Sequence, residues 1–262
     1  MKNLLEKICY DKKLEVSESK QKCSLKTLEK LIQKSSIKLN FKEKLISSQK
    51  NKKNFIIGEI KKSSPSAGNI IKNYYPEELA AIYEKAGIGA ISILTDKKYF
   101  EGWIDHLSLI KKRVNLPILR KDFIIDEYQI FESKVYNADA ILLIVSILSD
   151  NELKNFIKVA DELNLDCIVE THNDEELIRA MNIGYPIIGI NNRNLKTLSV
   201  DIDNTAQLVK KIEKNFTIIA ESGIKKKEDI LKYNNLNIYN FLIGETILKA
   251  KNKVNKINEL LI

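Results

Sequence analysis

Two residues of opposite charge stand two apart at the end of an apolar run. They are Glu59 and Lys61, in Ile56-Ile57-Gly58-Glu59-Ile60-Lys61-Lys62-Ser63-Ser64-Pro65-Ser66. A β-strand turns residues i and i+2 to the same face, so this acid and this base share one rim, where the strand gives way to a Ser/Pro loop. The device recurs: other apolar runs end in Lys121, Glu170, Asn191 and the pair Glu221-Ser222. Ammonium and carboxylate groups gathered at strand ends are the working parts of proton transfer. A solvated surface pair is the bland alternative for Glu59 and Lys61. Their place between a buried strand and a hydroxyl-rich loop favours function.

The other candidates have the same setting. In Leu119-Arg120-Lys121-Asp122-Phe123 three charges close an apolar run, and one of them is expected to point inward. A lysine among other cations or apolar walls loses basicity and becomes a usable general acid. Glu170 can serve as a base. His172, two residues on, reads as a loop or capping residue, and His106 as structural. Asn191 can orient a hydroxyl or a carboxylate, and the Arg193 fork suits an oxyanion. Gly223 and Gly244 each follow an apolar run. Glycine lets a phosphate approach backbone N–H groups, and a helix starting after Gly244 would add its dipole. The sequence has no histidine-rich cluster, no P-loop and no GxGxxG, so acid–base chemistry without a metal or cofactor is expected.

Eight short apolar segments could position these residues: 55–60, 90–94, 117–119, 140–145, 166–169, 187–190, 217–220 and 240–243. Each is continuous rather than alternating, as for parallel strands covered on both faces. Amphipathic stretches lie between them, at 76–86, 126–136, 150–163, 174–181 and 203–213. Their first residues (Pro76, Asp126, Asp150, Asp174, Asp203) suit helix starts. This alternation gives an α/β fold, a (β/α)8 TIM barrel, in which every strand end reaches one mouth. A doubly wound open sheet would bind at a single switch point, and explains less simply the polar residues at so many strand ends. Residues 1–50 read as an N-terminal helical extension that packs on the barrel or covers one end. The expectation is one domain over 1–262, with the barrel in 51–262.

Composition narrows the class. The chain has 262 residues, 44% hydrophobic and 30% charged, with net charge +8 and a pI near 9.1. The lysines are spread among acidic residues, without an aromatic-interleaved basic run, so nucleic-acid binding is disfavoured. The positive field still suits an anionic small substrate. The start Met1-Lys2-Asn3-Leu4-Leu5 does not read as a signal peptide, and the longest apolar run, 138–148, is too short to span a bilayer. Cys9, Cys23 and Cys167 lack metal or redox spacing and are expected as thiols in a reducing compartment. A cytoplasmic monomer is expected, with no membrane or nucleic-acid partner.

The segments GEIKKSSPSAG, ISILTDKKYFEG, PILRKDFIIDEYQI, ADAILLIVSIL, IVETHNDEEL, GINNRNLKTL, IAESGI and FLIGET occur in this order. Together they resemble the indole-3-glycerol phosphate synthase family over essentially the whole barrel. The opening LLEKICYDKKLEV resembles that family's N-terminal helix. The resemblance implies a cofactor-free conversion of 1-(2-carboxyphenylamino)-1-deoxyribulose 5-phosphate to indole-3-glycerol phosphate, carbon dioxide and water. It implies Lys121 as general acid on the ketone oxygen, Glu170 as base in the dehydration, and Lys61 as second acid or electrostatic partner. Glu59, Asn191, Glu221 and Ser222 would orient the lysines, the anilino nitrogen and the sugar hydroxyls. Ser64, Gly223 and Gly244 would be phosphate or substrate ligands, and Arg193 would meet an anionic group. Phe100, Phe123, Leu142 and Leu195 would wall the aromatic ring. Thr246 stands where the family often has Ser, and keeps the hydroxyl. The chain stops after the eighth unit, so a single activity is expected. The rivals are another phosphosugar barrel enzyme, such as phosphoribosylanthranilate isomerase, and a nucleic-acid binder.

Overall fold

A computed structural model of the chain describes residues 4–32, 39–212 and 215–262. Eight parallel strands close into a barrel: β1 (Phe55–Ile60), β2 (Ala90–Leu94), β3 (Ile118–Lys121), β4 (Ala140–Ile144), β5 (Asp166–Thr171), β6 (Ile187–Asn191), β7 (Thr217–Glu221) and β8 (Asn240–Ile243). β1 pairs with both β2 and β8, so no strand edge is left open. A two-residue hairpin, Ser63–Ser64 with Gly68–Asn69, follows β1. All eight expected segments are strands. Four run one or two residues further than their apolar content, because ladder bonding continues through Lys121, Glu170-Thr171, Asn191 and Glu221.

The expected helices form as well, with adjusted starts. Asp126 is an N-cap, accepting the Tyr128 N–H. Ser149 and Asn173, rather than Asp150 and Asp174, cap the next two helices, and the aspartates sit in their first turns, where a negative charge meets the helix dipole. The helix at Asp203 is shorter than its amphipathic stretch. It passes into a 3-10 turn at Val209–Lys211, and Glu213 lies outside the described residues, as do Met1, Lys2 and Asn3.

Strand parity sets what faces inward. Ile57, Leu119, Ile168 and Ile219 belong to the core inside the barrel, whereas Ile56, Ile118, Val169 and Ile218 pack in the layer between barrel and helices. Two residues beyond the first four lie Glu59, Lys121, Glu170 and Glu221, which therefore share the inward face. All four come from odd-numbered strands, and a barrel stacks its inward side chains in layers of four from alternate strands. An apolar layer thus supports a charged one at the C-terminal mouth. The same parity sends Arg120 outward, where its guanidinium meets Glu132 at 2.9 Å and the Ser133 hydroxyl at 3.1 Å.

The N-terminal helices serve both ends. α1 spans Leu4–Lys22, α2 Leu25–Ile32 and α3 Phe41–Asn51. α3 sends Phe41 and Leu45, both fully buried, into the inner core at the N-terminal end of the strands. Its start is held by Asp166 at the head of β5, which accepts the Lys42 N–H at 2.9 Å. α1 lies at the opposite end. Lys12, only 1% exposed, sets its ammonium 2.9 Å from both Asp96 and Asp122, the residues just beyond β2 and β3, and 2.8 Å from Glu15. Burial alone would lower its pKa, but the three carboxylates outweigh that and hold it well above an ordinary lysine. The expected cover of one end is therefore a plug at one end and a strap at the other. No helix among the described residues is long and apolar enough to cross a membrane.

Removing one partner of a buried ion cluster leaves uncompensated charge, a loss of about 3–5 kcal/mol. Lys12→Ala is expected to lower stability by that order in urea denaturation at pH 7. The sign in pH follows from the raised pKa. The Lys12 contribution is fully present below the ordinary lysine pKa and fades only as pH rises through the higher folded value.

Candidate active site

The charged layer opens into a cavity of about 540 Å³ at the C-terminal mouth. Glu59, Lys61, Lys121, Glu170, Asn191, Glu221 and Ser222 all line it. So do Phe100, Phe123, Leu142, Arg193, Leu195, Gly223 and Gly244. Ser64 does not. It sits buried in the hairpin after β1, where its hydroxyl accepts the Ala67 N–H at 3.2 Å and lies 3.4 Å from the Ser66 hydroxyl. That hydroxyl holds a turn of the loop after β1.

Lys121 is the hub. Its Nζ lies 2.9 Å from Glu170 Oε2 and 3.1 Å from Glu221 Oε2, bridging β3 to β5 and β7. Lys61 forms an ion pair with Glu59. The basicity of Lys121 runs opposite to the expectation from sequence. Burial would lower its pKa, but Glu170, Glu221 and Glu59 surround it and raise it well above the ordinary lysine value. The neighbours that the apolar run concealed are carboxylates, not cations. Lys121 is accordingly an ammonium throughout the neutral range.

The two carboxylates on Lys121 differ from each other. Burial would raise the pKa of Glu170, but Lys121 and His172 reverse this and hold it well below the usual carboxylate range. Glu221 is pushed above that range, first by burial and then by the charge of Glu170, which Lys121 does not fully offset. Two carboxylates sharing one cation separate in this way, since both cannot ionise at full strength. The site thus holds a firm anion, a reluctant one and a cation between them.

Backbone geometry makes the room. A Cβ at Gly189 would collide with Glu221 Oε1 and approach Ile168 Cγ2 to 2.9 Å. One at Gly244 would collide with Glu59 Oε1. Both glycines clear space for carboxylates of the charged layer. Gly223 is different: its φ of +83° follows a φ of +67° at Ser222, so two consecutive residues turn left-handed beside the cavity. A non-glycine residue there carries strain of the kind found at functional sites. The Thr246 hydroxyl donates to the Ile224 carbonyl at 2.6 Å and ties the β8 loop to the β7 loop. The helix after Gly244 is a single turn, Glu245–Leu248.

The remaining candidates frame this centre. Asn191 Oδ1 accepts the Arg193 N–H at 2.9 Å, and Arg193 Nη1 donates to the Leu198 carbonyl at 3.1 Å, shaping the loop after β6. The Phe100 and Phe123 rings stand 6.2 Å apart at a 38° tilt and form an aromatic wall. Sequence reasoning missed the cavity cations Lys225 and Lys249 and the apolar Val200 and Ile202. Lys249 sits one helical turn after Glu245, its ion-pair partner at 2.5 Å, and that spacing was a signal that could have found it. His106 is structural, packed edge-on to Tyr74 at 5.5 Å. His172 is not merely a capping residue, because it touches Glu170. Among the described residues no group of three or more His, Cys, Asp or Glu is placed to hold a metal ion.

The sequence matches the family described as indole-3-glycerol phosphate synthase over residues 5–260. A protein of that name from Thermoanaerobacter pseudethanolicus is 45% identical over 256 residues, covering 98% of this chain and 96% of its own. Another from Aquifex aeolicus is 49% identical over 208 residues, covering 79% and 80%. Among solved structures, 3-hexulose-6-phosphate synthase from Salmonella typhimurium superposes with a TM-score of 0.64 at 13% identity, over 79% of this chain and 96% of that one. A likeness at that identity speaks to the barrel fold alone.

Adding a methyl to a filled layer costs about 1–3 kcal/mol. Gly189→Ala is expected to show that loss in chemical denaturation. Displacement of Glu221 from Lys121 should also be visible as a carboxyl shift in NMR titration.

Proposed function

The chain belongs to the indole-3-glycerol phosphate synthase family, and we propose that it closes the indole ring with the groups of the charged layer. The observation that carries this assignment of roles is Lys121, held as an ammonium between Glu170 and Glu221 beneath an aromatic wall. The substrate ring lies against Phe100, Phe123, Leu142 and Leu195, which hold its reacting carbon near the ketone and supply proximity. As that carbon attacks, negative charge grows on the ketone oxygen. Lys121 meets it with a preorganised positive charge and donates the proton, a term worth several kcal/mol in a dry site. Loss of carbon dioxide returns electrons to the ring. In the dehydration Lys61 protonates the departing hydroxyl and Glu170 removes the proton that completes the indole.

Glu59 and Glu221 position the two lysines, while Asn191 and Ser222 orient the nitrogen and the hydroxyls. The phosphate meets the backbone N–H groups of the Ser222-Gly223 turn and the start of the helix after Gly244. Lys225 and Lys249 add positive charge at that end, and Arg193 takes the second anionic group. Ser64 acts through the hairpin it holds. No cofactor enters, because each step draws on a side-chain acid or base. We read residues 1–262 as one barrel domain acting as a cytoplasmic monomer. The burial of Lys12 and Phe41 against the barrel supports the single domain, and three cysteines without a disulfide suit a reducing compartment.

The direct test is an indole-fluorescence assay on the purified chain with 1-(2-carboxyphenylamino)-1-deoxyribulose 5-phosphate. No product would overturn the reading. Lys121→Ala is expected to abolish turnover with an unchanged circular dichroism spectrum, and near-normal rates would refute its role as acid. Glu170→Gln is expected to lower kcat by about 10²–10⁴, the range for a general base, with substrate binding kept. A matching loss in binding would make it a positioning residue instead.

A further inference from the structure

Asn191 lines the cavity, but its neighbour Asn192 lies behind the wall and is only 3% exposed. There it makes all four hydrogen bonds open to a side-chain amide. Nδ2 donates to the Ser222 carbonyl at 3.0 Å and to the Tyr233 hydroxyl at 2.9 Å. Oδ1 accepts the Thr205 hydroxyl at 2.8 Å and the Thr205 N–H at 3.1 Å. The Tyr233 hydroxyl, on the helix Lys227–Asn234 after β7, donates in turn to the Ile202 carbonyl at 2.8 Å. Thr205 and Tyr233 are themselves buried. One amide therefore ties the segment after β6 to the turn after β7 and to the helix that follows that turn.

The bond to Ser222 orients a donor. The Ser222 carbonyl and the Gly223 N–H belong to one peptide unit, and the described residues contain no cis peptide. In a trans peptide the two groups point opposite ways. Fixing the carbonyl on Asn192 therefore turns the Gly223 N–H away from Asn192 and keeps it there. That N–H has no hydrogen-bond partner among the described residues. Gly223 itself lines the cavity. Ser222 at φ +67° and Gly223 at φ +83° leave the peptide left-handed on both sides, a conformation that persists only when its surroundings impose it. A second hold is steric. A Cβ on Gly223 would come within 2.7 Å of Val200 Cγ1 and Ile202 Cγ2. These side chains press on the turn from the segment that Asn192 and Tyr233 anchor.

We propose that Asn192 is a positioning residue for the substrate phosphate, holding the Ser222–Gly223 peptide so that the Gly223 N–H is set before the anion arrives. This rests on the reading of that turn as the phosphate site. An unanchored turn would sample several orientations and lose that freedom on binding, at a cost in affinity. Asn192 removes the cost in advance. The charged layer does not depend on the same amide. The Asn192 N–H donates to the Glu221 carbonyl at 2.9 Å, and the Asn192 carbonyl accepts the Asp201 N–H at 2.9 Å. These backbone bonds survive truncation of the side chain, so the phosphate end loosens while Asn191 and Glu221 keep their places.

The test uses the full chain, with inorganic phosphate as the probe. In the wild type the Gly223 amide resonance is expected to shift as phosphate is added. In Asn192→Ala the midpoint of that titration should rise about 10-fold, the scale of one buried hydrogen bond lost. In the indole assay KM should rise to the same extent, with kcat nearly unchanged. A merely structural role would lower kcat through the active fraction and leave KM alone. Should Asn192→Ala misfold by circular dichroism, Tyr233→Phe keeps the ring against Phe241 and removes only the hydroxyl. Its midpoint and KM should rise about 3-fold, as for a weaker hydrogen-bond loss. Wild-type midpoint and KM in a folded variant overturn the proposal, as does a fall in kcat alone. Gly223 in the wild type separates the two readings. If its amide ignores phosphate, the turn is not the phosphate site, and the inference falls with that reading. If it responds, and does so at the same midpoint in the variants, only the positioning role has failed.

Discussion

Three buried carboxylates and two partly buried ammonium groups share the inside of one barrel end, and each is tolerable there only because another answers it. An unpaired charge in that place would cost several kcal/mol. Glu59 is answered by Lys61, and Glu170 and Glu221 by Lys121. The residues come from β1, β3, β5 and β7, so the pairing exists only once the sheet has closed. Closure and charge balance are therefore one condition. The fold that buries Ile57, Leu119, Ile168 and Ile219 is the fold that brings the acids and bases together.

That condition reaches into residues with no charge. Gly189 and Gly244 are small because carboxylates occupy the space their side chains would take. The balance also sets the chemistry. A lysine among carboxylates stays protonated, so Lys121 brings its positive charge, and the proton it carries, already in place. This suits stabilisation of charge that appears only in the transition state, since the dipoles and charges are already in place. The elevated Glu221 and the depressed Glu170 arise from the same crowding. One carboxylate is left as a firm anion beside a neighbour inclined to keep its proton.

The sequence carried much of this in its apolar runs, and what it withheld has physical causes. All eight strands were legible, because strands covered on both faces are continuously apolar. Their ends were placed short at β3, β5, β6 and β7, since hydrogen bonding does not stop where polarity begins. Which of Arg120, Lys121 and Asp122 faces inward became clear only from the register. Partner identity was the least legible. Lys121 meets residues 49 and 100 positions away, and nothing local announces that they are acids. The turn that the Ser64 hydroxyl holds was hidden too, because a hydroxyl in a turn and a hydroxyl at a site read alike in sequence. His172 looked like a cap because its contact with Glu170, made across the end of β5, is not visible in the local sequence.

The N-terminal strap shows how such a site is held still. Lys121 points inward, and its two chain neighbours are fixed from outside. Arg120 is bound to Glu132, to the Ser133 hydroxyl and, through Nε at 3.1 Å, to Thr95. Asp122 accepts from Thr95 at 2.6 Å and from Arg120 at 3.1 Å, and it faces Lys12 of α1 at 2.9 Å. The backbone that carries the ammonium is thus clamped on both sides by buried charges. A residue must be held to within about 0.5 Å to act in a transition state, and a strand end, where the ladder stops, is the least constrained part of a sheet. The extension supplies what the ladder cannot. α1 is less a lid over the mouth than the outer half of the support for Lys121, which accounts for spending a buried lysine on a helix that lies outside the barrel.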